Sequence, residues 1–238
     1  MSADLPSSFT IKWVNALSLM MHSKILLFTF SFSIFIAGII ALIRFKKINK
    51  VYYPFLYCIW VACINELVNF LLYNQGYSTY INNNIYAFLE SLLIVSLFRN
   101  LGFFHKGSYL FNCILISFIV AWVLEVFVLK KITSFCVYFS IYYSFIIVLM
   151  SISTINALIV RSTKGVFRNA TFLLCIGFII YFTYQVLIYA FWIYGIQSSN
   201  GFLLNVFSIM IYINLLANLI YALSVLWMPR KLEFTLPY

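Results

Sequence analysis

Residues 170–194 read ATFLLCIGFIIYFTYQVLIYAFWIY, a stretch without a single charged side chain. About 20 apolar residues in an α-helix are enough to cross the hydrocarbon core of a bilayer. The stretch contains no proline, and its only glycine is Gly177. It therefore predicts one continuous transmembrane helix over Ala170–Tyr194.

Six further stretches of similar character lie along the 238-residue chain. The composition agrees with them, because 65% of the residues are hydrophobic and only 8% are charged. A soluble domain of this size would have to expose much of that apolar surface to water. The sequence thus predicts an all-α integral membrane protein, a bundle of seven transmembrane helices over Ile25–Ile43, Tyr53–Tyr73, Asn84–Leu101, Tyr109–Leu129, Phe135–Val160, Ala170–Tyr194 and Phe202–Met228.

These stretches divide the chain into three parts. Residues 25–228 form the predicted transmembrane domain, and residues 229–238 form a short tail. Residues 1–24 are a mixed segment in which Ile11, Trp13 and Leu17 fall near one helical face. That spacing is typical of a helix lying in the membrane interface.

The basic residues predict an orientation. Of the 15 lysines and arginines, the larger share falls in alternate loops that must lie on one side of the membrane. Cytoplasmic loops carry an excess of Lys and Arg. We therefore expect the amino terminus outside and the carboxyl terminus inside, with these basic residues on the cytoplasmic side: Arg44, Lys46, Lys47, Lys50, Arg99, Lys106, Arg161, Lys164, Arg168, Arg230 and Lys231.

Two acidic residues within the spans are the main candidates for a functional site. Glu66 lies eight residues before the end of its predicted span region at Asn74, or about 12 Å deep, and Glu90 lies six residues after Asn84, or about 9 Å deep. The two spans are joined by a short loop, so we expect antiparallel neighbours. Asn69 shares a helical face with Glu66, as Tyr86 does with Glu90. These residues predict a polar, outward-facing pocket.

The sequence is compatible with three states of the carboxyl groups in this pocket. The carboxyl groups are protonated, or they share one proton, or a cationic ligand completes the site, because no Lys or Arg lies at that depth to pair with them. The alternative is structural: both glutamates hydrogen-bond to Asn and Tyr across helices. A third acidic residue, Glu125, lies near the end of its span beside Lys130 and Lys131, and we interpret it as interfacial.

Polar residues of the last two spans are further candidates for the pocket lining. Asn214, Asn218 and Tyr221 follow one another at helical spacing, and Gln185 shares a face with Tyr181. The competing interpretation is that these side chains hydrogen-bond between helices and fix their packing. The predicted ligand-binding residues are therefore Glu66, Glu90, Asn69, Tyr86, Gln185, Asn214 and Asn218.

Missing residue types exclude several functions. No span interior contains a lysine or a histidine. This excludes a retinal Schiff base, haem ligation within the membrane and zinc-dependent hydrolysis. The five cysteines form no CxxC pair, and the lone aspartate is Asp4. We expect neither a cofactor nor a metal, and no enzyme activity. The basic residues are juxtamembrane anchors, so nucleic acid is not an expected partner.

The favoured functional interpretation is a receptor-like sensing or ligand-binding module that acts through a separate partner. The seven-helix arrangement resembles that of receptors in topology alone. Alternatives are a small proton-coupled transporter, a non-catalytic membrane scaffold subunit and an intramembrane hydrolase that uses the two glutamates. Few span residues are proline or glycine, so we expect largely unbroken helices, which counts against a transporter. Expected partners are membrane lipid, a protein on the cytoplasmic side or in the membrane, and a small molecule. The expected location is the plasma membrane or the bacterial inner membrane.

Overall fold

A computed structural model of the chain describes residues 30, 32–104, 109–129, 132–161, 169–194 and 200–230. Within these ranges the chain is helical and forms no β-strand. The seven long helices are α1 (Ile34–Arg44), α2 (Tyr53–Asn74), α3 (Tyr80–Asn100), α4 (Tyr109–Val123), α5 (Val137–Arg161), α6 (Ala170–Tyr194) and α7 (Asn200–Trp227).

Six of these helices, α2 to α7, contain a segment that is long and apolar enough to cross a membrane. The predicted first span, Ile25–Ile43, lies partly outside the described residues, and α1 covers its second half. The amino-terminal segment 1–24 and residues 231–238 of the tail also lie outside them. The structure therefore confirms an all-helical bundle with six candidate spans, while the count of seven and the orientation stay predictions.

The helices form a ring in the order of the chain. Each one packs against the next, and α7 returns to pack against α1. Large apolar side chains such as Ile39, Leu42 and Leu71 are exposed on the outside of the ring. Phe55 and Phe178 meet edge to face inside it, with ring centroids 5.8 Å apart. An apolar exterior of this kind is stable where the surrounding solvent is hydrocarbon.

Two glycines allow neighbouring helices to approach closely. A Cβ atom on Gly177 of α6 would lie 2.6 Å from the ring of Tyr221 on α7. A Cβ atom on Gly38 of α1 would lie 2.9 Å from Sγ of Cys63 on α2. Small residues at such crossings are common in membrane bundles, where close van der Waals contact drives helix association.

Most predicted helix limits are close to the observed ones, but α3 begins at Tyr80, four residues before the predicted start at Asn84. Three asparagines in its first turns made this region look like a loop, yet their side chains bond to other polar groups of the bundle. Because the helix starts earlier, Glu90 lies deeper than the sequence predicted. Glu90 lies ten residues, or about 15 Å, from each end of α3, and so at its middle rather than in its outer third.

The helix α4 departs from the expectation of unbroken spans. Its last turn widens into a π-helix over Leu124–Val128, without a proline or glycine. Such bulges relax the hydrogen-bond ladder by one residue and re-aim side chains. Here the carboxylate of Glu125 accepts hydrogen bonds from the backbone N–H groups of Tyr138, at 3.1 Å, and Phe139, at 2.6 Å.

Glu125 thus caps the amino terminus of α5. Its side chain is only 2% exposed, and its two oxygens satisfy backbone N–H groups that have no partner within the helix. The interpretation of Glu125 as an interfacial group beside Lys130 and Lys131 missed this contact, because sequence spacing did not show that α5 begins against the end of α4. The two lysines lie outside the described residues.

Contacts at one end of the bundle join the first loop to the end of α7. The guanidinium group of Arg44 donates to the carbonyl oxygens of Val225, at 2.7 Å, and Met228, at 3.2 Å, and also to that of Leu226. A cation at a helix carboxyl terminus satisfies the carbonyls that lack an intrahelical partner. The backbone N–H of Asn49 donates to the Pro229 carbonyl at 3.1 Å.

Candidate functional site

A polar cavity of about 80 Å³ lies inside the ring of helices. Residues from α1, α2, α3, α6 and α7 line it. The polar side chains of the lining are Glu66, Tyr86, Glu90, Tyr181, Asn214, Asn218 and Tyr221. Apolar and thiol side chains complete it, namely Ile34, Phe55, Cys58, Ile59, Ala62, Ile94 and Phe178.

The structure brings five of the seven predicted site residues to this one cavity. They come from the consecutive helices α2 and α3 and from α7, which is distant from both in sequence: Glu66 from α2, Tyr86 and Glu90 from α3, and Asn214 and Asn218 from α7. Helical spacing placed the members of each pair on a common face, and closure of the ring between α7 and α1 brings the faces together. Asn69 and Gln185 lie outside the lining.

Glu90 is buried and fully engaged by neighbouring tyrosines. Its side chain is 6% exposed. The hydroxyl group of Tyr86, one turn earlier on α3, donates to Oε1 at 2.7 Å. The hydroxyl group of Tyr143 on α5 donates to Oε2 at 2.9 Å. Both carboxyl oxygens therefore accept a hydrogen bond, which offsets part of the cost of removing the group from water.

A hydrogen-bond chain continues from Glu90 beyond the cavity. Because the Tyr143 hydroxyl group donates to Glu90, its oxygen is free to accept, and Nε2 of Gln185 on α6 lies 3.3 Å away. The chain Tyr86–Glu90–Tyr143–Gln185 thus connects α3, α5 and α6. Gln185, predicted as a lining residue, contacts the site through Tyr143.

Glu66 differs from Glu90 although it lines the same cavity. Its side chain is only partly buried. Among the residues that the structure describes, none forms a hydrogen bond or an ion pair with its carboxyl group. The described part of the lining also contains no lysine, arginine or histidine. The cavity therefore contains two carboxyl groups, one satisfied by tyrosines and one without a protein partner in the described ranges.

Asn69 belongs to a cluster of four asparagines between α2 and α3. Its Nδ2 atom donates to Oδ1 of Asn83 at 2.8 Å, and its Oδ1 atom accepts from Nδ2 of Asn82 at 2.8 Å. Nδ2 of Asn82 also lies 2.8 Å from Oδ1 of Asn65. The cluster satisfies these amides across the helix pair. Asn69 therefore bonds between the two helices rather than to the cavity.

Asn218 joins α7 to the start of α1 at the cavity wall. Its Nδ2 atom donates to Oγ of Ser33 at 2.8 Å and lies 3.4 Å from Oδ1 of Asn214. Asn218 is buried, whereas Asn214 is partly exposed. These two asparagines therefore both line the cavity and hold its wall together.

Tyr143 is the participant that sequence reasoning missed. It is fully buried, and its hydroxyl group is the only link between Glu90 and Gln185 among the described contacts. The chain contains 18 tyrosines, so residue type gave no signal. Its position relative to Glu90 depends on the packing of α5 against α3, which the sequence does not specify.

The dimensions of the cavity limit what it can accommodate. A volume of about 80 Å³ suits a few water molecules or a ligand of a few heavy atoms. Pockets for drug-sized ligands are several times larger, at roughly 300–1,000 Å³. The described residues contain no group of three or more His, Cys, Asp or Glu that could hold a metal ion.

No protein-family model, curated protein or solved structure matches this chain. The class of protein is therefore defined from its fold and its cavity alone. It is a bundle of apolar helices with the architecture of a multi-pass membrane protein, and a small acidic cavity lies between α2, α3, α6 and α7.

The hydrogen bond from Tyr143 to Glu90 predicts a stability difference between two neighbouring tyrosines. Tyr143→Phe removes the donor to Oε2 and the acceptor of Gln185, and we expect a loss of about 1–2 kcal/mol in the free energy of unfolding. Chemical denaturation of the purified protein in detergent measures this value. The matched control is Tyr142→Phe, because that hydroxyl group contacts Ser117 on the exposed surface. Its expected loss is below about 0.5 kcal/mol, and equal losses would contradict the buried hydrogen-bond chain.

Proposed function

We propose that the protein is a membrane-embedded, receptor-like module that binds a small cationic ligand in the cavity between α2, α3, α6 and α7. The observation that supports this proposal is the contrast between the two glutamates. Glu90 has two tyrosine donors, while Glu66 faces the same cavity without a partner among the described residues. A cation beside Glu66 would supply the missing partner.

The electrostatics of a membrane interior support a positively charged ligand. A charged carboxylate inside a bilayer costs several kcal/mol unless a counter-charge or strong hydrogen bonds accompany it. Among the described residues, the cavity lining provides tyrosine and asparagine side chains but no basic group. A bound cation would therefore gain a strong interaction with Glu66 and would allow that group to keep its charge.

The rest of the lining also suits a small ammonium ion. Aromatic rings of Phe55, Phe178, Tyr181 and Tyr221 surround the polar groups. The faces of aromatic rings attract cations, and the interaction strengthens when water is excluded. Asparagine and tyrosine oxygens can accept the N–H groups of an ammonium ion. We infer that the ligand is an organic ammonium ion of only a few heavy atoms.

We propose that binding of the ligand serves sensing. In this proposal the cavity opens towards the outside of the cell membrane, and a separate partner in the membrane or at the cytoplasmic side carries the output. The alternative of a scaffold subunit requires both glutamates to be packing groups. The partnered state of Glu90 would suit that role, but the unpartnered state of Glu66 would not.

Methylammonium is a suitable probe for the cation site. We expect millimolar methylammonium chloride, compared with sodium chloride at equal ionic strength, to raise the unfolding temperature of the purified protein. A ligand at 100 times its Kd stabilises the folded state by about 2.7 kcal/mol. Glu66→Gln should abolish the shift. Glu125→Gln, which changes an acidic residue outside the cavity, should keep it. A shift of equal size in all three proteins would refute the site.

Proton-coupled transport is the second candidate, and the chain Tyr86–Glu90–Tyr143–Gln185 favours it. In this candidate Glu90 would bind and release the coupling proton, and the tyrosine hydroxyl groups beside it could donate or accept a hydrogen bond as its charge changes. If the protein transports a cation, proteoliposomes should take up radiolabelled guanidinium, which stays charged over the usable pH range. An imposed pH gradient should drive the uptake, and Tyr143→Phe should reduce it. Uptake equal to that of protein-free liposomes would leave binding without transport.

A further inference from the structure

The loop between α1 and α2 presents three lysines from a fixed backbone. Two short 3₁₀ turns, Phe45–Lys47 and Lys50–Tyr52, make up most of it. The side chains of Lys46, Lys47 and Lys50 are exposed. Inside the loop the backbone of Ile48 forms a β-bridge with Arg230. Together with the contacts of Arg44 and Asn49 to the end of α7, this bridge fixes the position of the loop on the bundle.

The positive charge at this end of the bundle is not balanced within the described ranges. Arg99 and Arg230 are exposed at the same end, because α3 and α7 both finish there. Asn100 of α3 donates to the carbonyl oxygen of Val51, which shows that the end of α3 adjoins the loop. The described carboxyl groups lie elsewhere: Glu66 and Glu90 line the cavity, and Glu125 caps α5.

An aromatic cluster lies next to the lysines and is formed by one ring of the loop and three rings near the start of α2. We define the cluster as Phe45, Tyr53, Tyr57 and Trp60. The ring of Phe45 stacks on that of Tyr53, with centroids 4.8 Å apart, and it lies 5.1 Å from Trp60. Tyr57 is 42% exposed, so the cluster reaches the outer surface of the bundle. Tyr and Trp prefer the headgroup level of a bilayer.

We propose that this loop and the aromatic cluster form a binding site for an anionic phospholipid. Lys46, Lys47 and Lys50 bind the phosphate and the anionic headgroup, while the aromatic cluster contacts the glycerol and the upper part of an acyl chain. A lysine side chain is long enough to place its ammonium group in the headgroup layer while its stem stays on apolar surface. Several basic residues at the start of a span are the usual signature of anionic lipid recognition.

An acidic protein segment is the other partner that a basic surface could take. The aromatic cluster favours lipid, because it adds an apolar surface directly beside the lysines and at the beginning of a span. The carboxylate groups of an acidic peptide would gain nothing from that apolar surface. A lipid would contact the lysines and the aromatic cluster together. This site is independent of the cavity and of any ligand bound there.

Native mass spectrometry of the full chain, released from neutral detergent micelles, tests the proposal. Phosphatidylglycerol and phosphatidylcholine with identical acyl chains are the probes. Lys46→Gln, Lys47→Gln and Lys50→Gln are combined in one variant, and the corresponding three Lys→Arg changes in a second. The matched control combines Lys130→Gln with Lys131→Gln, in the segment between α4 and α5. Polyglutamate is the competing acidic probe.

We expect wild type to bind phosphatidylglycerol in preference to phosphatidylcholine. The glutamine variant should bind phosphatidylglycerol roughly tenfold to a hundredfold more weakly. The arginine variant and the control should bind phosphatidylglycerol like wild type. Equal affinity for the two lipids, or an equal loss in the control, would overturn the proposal. Polyglutamate binding that depends on the same lysines, without a preference for phosphatidylglycerol, would also overturn it.

Discussion

The hydrogen bonds that Tyr86 and Tyr143 donate to Glu90 are the contacts on which the interior of the bundle depends. A carboxyl group at the middle of a membrane-spanning helix has no water to solvate it, so the protein must supply polar partners. One partner comes from the same helix and the other from α5. The requirement to satisfy one buried group therefore fixes how α3 and α5 pack, and Gln185 extends the constraint to α6.

Amide and hydroxyl groups at other depths fix two further helix pairs in the same way. The asparagine cluster joins α2 to α3, and Asn218 joins α7 to Ser33 ahead of α1. Apolar contact alone would allow helices in lipid to slide or rotate, because lipid tails are as apolar as the helix faces. Polar contacts at defined positions select one arrangement. In that arrangement the faces of α2, α3, α6 and α7 enclose the cavity, and Glu66 lies in it without a described partner.

The lengths of the apolar stretches in the sequence predicted the helices well, and α6 begins and ends at the predicted residues. It failed where polar residues lie inside a helix, as at the start of α3, because the partners of Asn82 and Asn83 come from α2. Helical spacing grouped Tyr86 with Glu90 and Asn214 with Asn218, and all four side chains line the cavity. It could not separate Asn69, which bonds between helices, from Asn214, which lines the cavity. Both have the same residue type and similar spacing to their neighbours.

The spacing of residues along the sequence could not predict side-chain contacts between different helices. Tyr143 contacts Glu90 across 53 positions of the chain, and Glu125 caps α5 from the π-helical turn that follows α4. The depth of Glu90 also differs from the predicted depth, because α3 begins four residues before the predicted start. Each of these results depends on packing geometry rather than on residue type, and so none could be found from composition or periodicity.

The free energy of unfolding of Glu66→Gln compared with Glu90→Gln, measured by chemical denaturation in detergent, tests the central claim that the two glutamates have different roles. Glu90→Gln places an N–H₂ group against a tyrosine donor, and we predict a loss of about 1–3 kcal/mol. Glu66→Gln removes a carboxyl group that has no described protein partner, and we predict no loss or a small gain in stability. Equal losses in the two variants, or a larger loss in Glu66→Gln, would show that both groups are packing residues and would contradict the account.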